Sequence, residues 1–269
     1  MKKIIAMLLA VVMVLSLAAC GAKEEAPATT AAAAAETEAA AEAAFTTIEA
    51  GKLIMSTNAA FPPYEMVADD GSFEGIDVEV AGAIAEKLGL ELIIDDMDFD
   101  AALLAVQQGK SDMVMAGVTV TEDRQMVMNF SDSYATGVQV IIVAEGSDVS
   151  IDNLGEKMIG TQRATTGYIY ASGDYGEDHV TAYDNGASAV QALMNGQVDC
   201  VIIDSAPAEA FVAANAGLTI LDTEYVTENY AIGLSKDNTA LVEAVNTALA
   251  ELIADGTVQS IVDKYISAE

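Results

Sequence analysis

The sequence has no tryptophan, four prolines, two cysteines and one histidine, and its 11 lysines and arginines face 42 aspartates and glutamates, for a formal charge of −31 over 269 residues. Each shortage excludes something. With so little proline and 52% hydrophobic residues, the chain is not collagenous, proline-rich or wholly disordered, and its length suits one large domain or two smaller ones. Two cysteines cannot build a disulfide scaffold. No lysine or arginine cluster is present to displace counterions, and the net charge repels phosphate backbones, so nucleic acid is not expected as a partner. His179, in the polar stretch Gly176-Glu177-Asp178-His179 read as an exposed loop, leaves no histidine-based zinc site and makes any Ser-His-Asp triad depend on it alone. The phosphate loop G-x-x-x-x-G-K-[ST] is missing, so ATP hydrolysis would fall to a partner. Asp96-Met97-Asp98-Phe99-Asp100 begins like a calcium loop but has Ala101 and Gln107 where glycine and glutamate are needed. Cys200, beside Val201 and Ile202, and methionines 113, 115, 126 and 128 read as packing. Neither a cofactor nor a metal is expected.

The N-terminus reads as an address. Lys2 and Lys3 precede an uncharged run from Ile4 to Ala19, 16 residues long, shorter than the roughly 20 that span a bilayer as a helix, which is the layout of a secretory signal over residues 1–19. The run ends in Leu17-Ala18-Ala19-Cys20-Gly21, which resembles the bacterial lipobox, in which the cysteine is acylated and becomes the first residue. Two or more acyl chains, palmitate among them, at about 0.8 kcal/mol per buried methylene would hold Cys20 on a membrane surface. The other reading is an ordinary signal cut after an Ala-x-Ala-like site, which gives a free soluble protein. Residues 20–45, nearly all alanine, glutamate and threonine, have no apolar stripe to bury and read as a disordered tether.

From about Thr46, short β-rich runs alternate with amphipathic segments, the pattern of an α/β fold. Lys52–Ser56 reads as a strand. Asp77–Leu88 has helical apolar spacing and stops at Gly89; Leu92–Ile94 is the next strand. Asp100 is placed as the cap of a helix over Ala101–Gln108 that stops at Gly109, followed by a buried strand over Met113–Met115. This alternation implies parallel pairing. The last unit recurs: Ala105–Gly117 lies over Ala192–Asp204 with a shift of 87 and no gap, Gly109 meeting Gly196 and Asp112 meeting Asp199. Two lobes of like topology follow, with Gly117 and Asp204 at equivalent carboxyl ends of strands, where open α/β sheets take their ligands. Crossings between the lobes are expected near Gly137–Val143 and Val226–Gly233, two parallel connections that would make a hinge. Thr239–Ile253 reads as a helix ended by Gly256, and Thr257–Tyr265 as a final short helix.

Seven ordered motifs carry a resemblance over nearly all of residues 46–269. They are Ser56-Thr57-Asn58-Ala59-Ala60-Phe61-Pro62-Pro63-Tyr64-Glu65, Phe73-Glu74-Gly75-Ile76-Asp77, Phe99-Asp100, the stretch Ala116–Arg124, Phe130-Ser131-Asp132-Ser133-Tyr134, Thr165-Thr166-Gly167 and Val201-Ile202-Ile203-Asp204. In these the chain resembles the family 3 extracellular solute-binding proteins, receptors of ABC importers for polar amino acids. The resemblance implies a two-lobed periplasmic-binding-protein-like fold of type II, with mostly parallel sheets, flanking helices and a two-strand hinge. Lobe 1 would be residues 46–139 and 231–269, and lobe 2 residues 140–230. It further implies a monomeric, extracytoplasmic receptor that closes on an amino acid and delivers it to a permease served by an ATPase subunit.

A free α-amino acid brings a carboxylate and an ammonium, and a buried site must pair both. Arg124 lies near the start of a helix that Thr121 can cap, where guanidinium and backbone amides can converge on a carboxylate. By the resemblance Arg124 takes the α-carboxylate with Thr119 and Thr165 or Thr166, and Asp204, helped by the Gly117 carbonyl, takes the ammonium. Asp204 also stands where it can cap the helix beginning Ser205-Ala206-Pro207. Phe61, Tyr64 and Phe99 match the rings that wrap the ligand's stem. Asn58 stands where relatives that bind cationic amino acids carry an acid, which favours an uncharged polar ligand such as glutamine; Arg163 and Ala164, before the Thr-Thr-Gly motif, are departures that would admit a carboxylated side chain. The rival reading is a dehydratase on the same scaffold, acting on a cyclic carboxylic acid with Glu65 or Glu74 as general acid. A sensor lobe of a signalling receptor is a third, without a transmembrane or kinase segment to support it.

Overall fold

The computed structural model describes residues 45–223 and 225–266; the signal segment, Cys20 and all of the tether but Phe45 lie outside the described residues. In chain order the elements are β1 (Lys52–Thr57), β2 (Ala60–Phe61), β3 (Glu65–Val67), β4 (Phe73–Glu74), α1 (Ile76–Leu88), β5 (Glu91–Asp96), α2 (Phe99–Gln107), β6 (Met113–Val114), α3 (Glu122–Val127), β7 (Met128–Ala144), β8 (Ile159–Gln162), α4 (Thr166–Tyr175), β9 (Val180–Tyr183), α5 (Gly186–Met194), β10 (Cys200–Asp204), α6 (Ser205–Ala214), β11 (Leu218–Ile220), β12 (Val226–Ser235), α7 (Thr239–Ala254) and α8 (Thr257–Tyr265).

The main sheet runs β5-β1-β6-β12-β7-β10-β8-β9, with β11 on β7, while β2, β3 and β4 form a small antiparallel sheet. Its flanks are parallel: β1 pairs β5 and β6, and β8 pairs β9 and β10, as the β–α–β alternation requires. Its centre is antiparallel. There β7 and β12, the two long strands, pair from Met128 opposite Ser235 to Gln139 opposite Val226, with register shifts around Ala231. The expected crossings therefore lie side by side but run in opposite directions, and the first is longer than the Gly137–Val143 run suggested.

Apolar spacing accounts for the helices that cover this sheet. Helix α1 buries Ile76, Val80, Ala81 and Ile84, and ends where Gly89, at φ 68°, takes the left-handed turn that a side chain resists. It packs against α7 and α8, where Leu241, Val245 and Leu249 are fully buried and Leu252 nearly so. Each such side chain contributes about 1.5–3 kcal/mol on leaving water. Helix α2 starts two residues earlier than expected: Phe99 is buried against Leu103 and Met128, Asp98 takes the cap position without a side-chain bond, and Asp100 accepts the Ala101 N–H within the first turn. Asp98 and Asp100 are equal as cap residues, and burial of one ring decides between them. His179 is half-buried rather than exposed, with Nδ1 3.3 Å from the Lys157 carbonyl.

The turns of the internal repeat are closed by equivalent bonds. Gln108, Gly109 and Lys110 donate their N–H groups to Leu104, Val106 and Ala105; Asn195, Gly196 and Gln197 donate to Gln191, Leu193 and Ala192. Asp112 donates its N–H to the Ile54 carbonyl and accepts the Ile54 N–H on its carboxylate at 2.9 Å; Asp199 does the same with Met158, at 2.7 Å in each direction. Each aspartate thus fixes the strand that enters beside it.

Candidate functional site: a cleft at the strand ends

The carboxyl ends of β1, β6, β8 and β10 converge on one cavity of about 20 Å³, room for about one water molecule. An amino acid enters only if its walls part. Nine of the ten ligand residues expected from sequence line it. Asn58 follows β1, Phe61 lies in β2 and Phe99 opens α2; Gly117 and Thr119 follow β6, with Arg124 on α3; from the other side come Thr165 and Thr166 at the start of α4 and Asp204 at the end of β10. Tyr64 does not line it. It stands behind Phe61, ring centroids 5.7 Å apart, and meets Tyr230 edge-on at 5.2 Å.

Arg124 is placed by the cap expected for it: Thr121 accepts the Arg124 N–H at 3.2 Å. Its guanidinium, 8% exposed, donates to the Thr119 carbonyl at 2.9 Å and the Ala164 carbonyl at 3.0 Å, and lies 5.4 Å from the Phe99 ring centroid. Burial opposes its charge and the nearby carboxylate of Glu228 supports it. Thr165 caps α4 by accepting the Tyr168 N–H, and its hydroxyl donates to the Gln162 carbonyl.

Asp204 occupies the cap position of α6, but its side chain makes no capping bond. The capping alternative is overturned. The carboxylate turns instead to the cleft, where Oδ2 accepts from Gln139 Nε2 at 2.8 Å and the Tyr230 hydroxyl lies beside Oδ1. Burial drives its pKa up to about 7, the Tyr230 hydroxyl and the Gln139 amide opposing and the Glu228 charge adding. Gly117 donates its N–H to Asp77 at 2.9 Å, and burial raises that carboxyl to about 6.

Sequence reasoning missed Ala116, Gln139, Gln162, Ile202 and Ile203 in the lining, and Glu228 behind it. Gln139 carried a signal, a polar residue inside the apolar run Val138–Val143, the same kind that exposed Asp204, whereas Glu228, between Thr227 and Asn229, carried none. Gln162 Nε2 donates to Asn58 Oδ1 at 2.9 Å, and Asn58 Nδ2 to the Met97 carbonyl at 2.9 Å, so the Asn58 amide is fully engaged. Arg163 points away, paired with Asp184 at 2.7 Å and half exposed. Glu65 and Glu74 do not line the cavity: Glu65 is buried behind it and Glu74 is exposed on β4. The dehydratase reading loses its acid. Asp96, from the incomplete calcium loop, accepts the Ala59 N–H, and among the described residues no group of three or more metal-binding side chains is gathered. Burial raises the Cys200 thiol to about 12, as befits a packing residue.

An α/β fold whose two parallel flanks meet on an antiparallel pair, with a charged cleft at the strand ends, defines a binding protein of the type II periplasmic class. Residues 53–268 match the model of the bacterial extracellular solute-binding proteins, family 3, and the chain belongs to that family. It is 32% identical over 277 residues to a probable histidine-binding protein of Neisseria gonorrhoeae, covering all of this chain and 97% of that one. Among solved structures it is similar to an ancestral arginine-binding protein bound to glutamine, 37% identical with a TM-score of 0.78 over 82% of this chain and all of the other. The arginine-, lysine-, histidine-binding protein of Geobacillus stearothermophilus is 32% identical, with a TM-score of 0.77 over 81% and 96%. Members of this family are substrate-binding proteins of transport systems. Among the described residues no helix is long and apolar enough to cross a membrane.

Proposed function

We propose that the protein is the extracytoplasmic receptor of an ABC importer and that its ligand is a polar α-amino acid. The observation that carries this is one buried arginine and one buried aspartate in the same cleft: among the described residues, Arg124 and Asp204 are the charged residues that line it, one cation and one anion. They match the two charges every α-amino acid carries. Thr119, Thr165 and Thr166 add donors at the carboxylate, the Gly117 carbonyl assists at the ammonium, Phe61 and Phe99 cover the stem, and Tyr64 supports Phe61 from behind. The relatives' names, for histidine, arginine and lysine, support the same class.

In this reading residues 46–139 and 231–269 form one lobe and 140–230 the other, β7 and β12 are the hinge, and closure about the ligand makes the shape a permease recognises. The receptor works as a monomer and catalyses nothing; the permease's ATPase subunit supplies the energy. Residues 1–19 are a lipoprotein signal, and Cys20, acylated, anchors the protein to the outer face of the membrane through the tether of residues 20–45.

Thermal unfolding of the purified protein against the twenty amino acids, cystine and ornithine tests the receptor. A ligand at 100 times its Kd adds about 2.7 kcal/mol, several degrees in Tm. No shift with any of them, in protein shown free of carried-over ligand, refutes the amino-acid reading.

A further inference from the structure

Two neutral side chains meet across the cleft. Gln162, at the end of β8, donates from Nε2 to Oδ1 of Asn58, which follows β1, at 2.9 Å; the two residues are 104 positions apart in the chain and only 4% and 7% exposed. Each is also tied to its own side. Asn58 Nδ2 donates to the Met97 carbonyl at 2.9 Å, and Gln162 Nε2 donates to the Asp184 carbonyl at 3.3 Å. Both amides are thereby aimed before they meet, so little side-chain freedom is lost when the bond between them forms.

The residues after Gln162 extend the contact. Arg163 turns outward to Asp184, and Ala164 takes φ 62°, the left-handed region that a side chain resists; among the described residues it is the only non-glycine residue there. In that conformation its carbonyl accepts from Arg124 Nη2 at 3.0 Å, and it packs against the cluster that holds Phe99, Leu103 and Met128. Strained backbone persists where its surroundings over-determine it, and what surrounds Ala164 is the opposite wall of the cleft.

We propose that Asn58 and Gln162 form a clasp between the lobes: positioning residues that hold the cleft closed around whatever amino acid it takes and read nothing of that ligand's side chain. This rests on the two-lobed amino-acid receptor read above, in which Asn58 belongs to one lobe and Gln162 to the other. In sequence Asn58 was assigned to the ligand's side chain, but both ends of its amide are in use, the oxygen by Gln162 and the nitrogen by Met97. The bond joins protein to protein, so it adds the same stability to closure with every ligand. Affinity then scales with the closed population, while the ratio between two ligands stays as it was. Opening must break the bond, so its worth appears in the rate at which ligand leaves.

Arginine, histidine and glutamine serve as probes, titrated calorimetrically into the purified wild-type protein, Asn58→Ala, Gln162→Met and the double variant, with dissociation rates from stopped flow. Methionine keeps the length of glutamine and lacks its donor, so the fold is retained while the bond is lost. Gln162→Met should weaken every probe that binds by about three- to tenfold, the range of one net hydrogen bond, by the same factor for each, and as faster dissociation with the association rate unchanged. In Asn58→Ala the bond is already gone, so adding Gln162→Met should weaken binding by less than about twofold more. A ratio between two probes that moves by more than about threefold in Gln162→Met makes the glutamine a reader of the ligand and overturns the proposal. Unchanged affinities in Gln162→Met overturn it too, as do losses that multiply in the double variant. Each of these leaves the amino-acid receptor intact. If no amino acid binds the wild type at all, the amino-acid reading fails and this proposal with it.

Discussion

Asp204 links the ligand to the proton. It is 8% exposed, and burial raises its carboxyl from 3.8 to about 7. Only the ionised form pairs with an ammonium, so below pH 7 binding must expel a proton, and above pH 7 it need not. Affinity therefore rises with pH up to about 7 and then levels. Well below pH 7, one proton released per ligand means about tenfold per pH unit, and since Asp204 is already half protonated at pH 7, the Kd at pH 5 should be about 50-fold weaker than at pH 7, or about 2.3 kcal/mol. The ligand-free fold responds in the opposite direction. Its folded pKa lies above the unfolded one, so folding favours the neutral acid; the Asp204 contribution to the stability of the ligand-free protein is full below the unfolded value of 3.8 and is lost as pH climbs to about 7. Asp77, raised to about 6, adds to the same trend. Calorimetric titrations at pH 5, 6, 7 and 8, in buffers of different ionisation enthalpy, read both the affinity and the number of protons released. An affinity that is flat from pH 5 to pH 7, with no proton released, refutes the assignment of Asp204 as a protonated acid awaiting the ammonium.

Arg124→Ala should weaken amino-acid binding at least about 100-fold, because hydrogen bonds to a charged group are worth about 1.5–3 kcal/mol each and the guanidinium offers more than one; wild-type affinity in a titration of this variant would remove Arg124 from the site. Gly137→Ala places a methyl group 2.6 Å from Asp204 Oδ1 and closer still to the Tyr230 hydroxyl, so it should lower the Tm by the equivalent of about 1–3 kcal/mol and weaken the ligand, measured on the same sample. Leu249→Ala, at a fully buried position of α7, should cost about 2–5 kcal/mol in denaturant unfolding without changing the Kd under native conditions. Of the two repeat-related aspartates, Asp112 holds the N–H groups of Ile48 and Ile54 and Asp199 that of Met158 alone; Asp112→Ala should be the more destabilising, and equal losses would contradict the hydrogen-bond account.

Much of the fold was legible because its signals are local. The apolar spacing of Val80, Ala81 and Ile84 made α1 readable, and Gly89 marked its end, since the left-handed turn depends on one residue's backbone. The Gly109 and Gly196 units were readable as a repeat because the same bonds close both turns. The start of α2 was not: Asp98 and Asp100 are the same residue type and equal as caps, and only the distant surface that buries Phe99 shows why the helix begins at the earlier one. The antiparallel direction of β7 and β12 was equally hidden, because a strand's pattern records which face is buried and not which neighbour it meets.

By itself the sequence determined the α/β class and the repeated unit, and it marked Asp204 as a charge out of place in an apolar strand, since each follows from periodicity, from a single backbone conformation or from the composition of one short run. Only the tertiary structure decided which groups face each other. It withdrew Asp204 from the alternative role of helix cap, moved Tyr64 behind Phe61, sent Arg163 out to Asp184, and brought Glu228, 24 residues beyond Asp204 in the chain, onto the same Gln139 amide. Burial and electrostatic pairing depend on distance in space, and that distance is set by the packing of strands far apart in sequence.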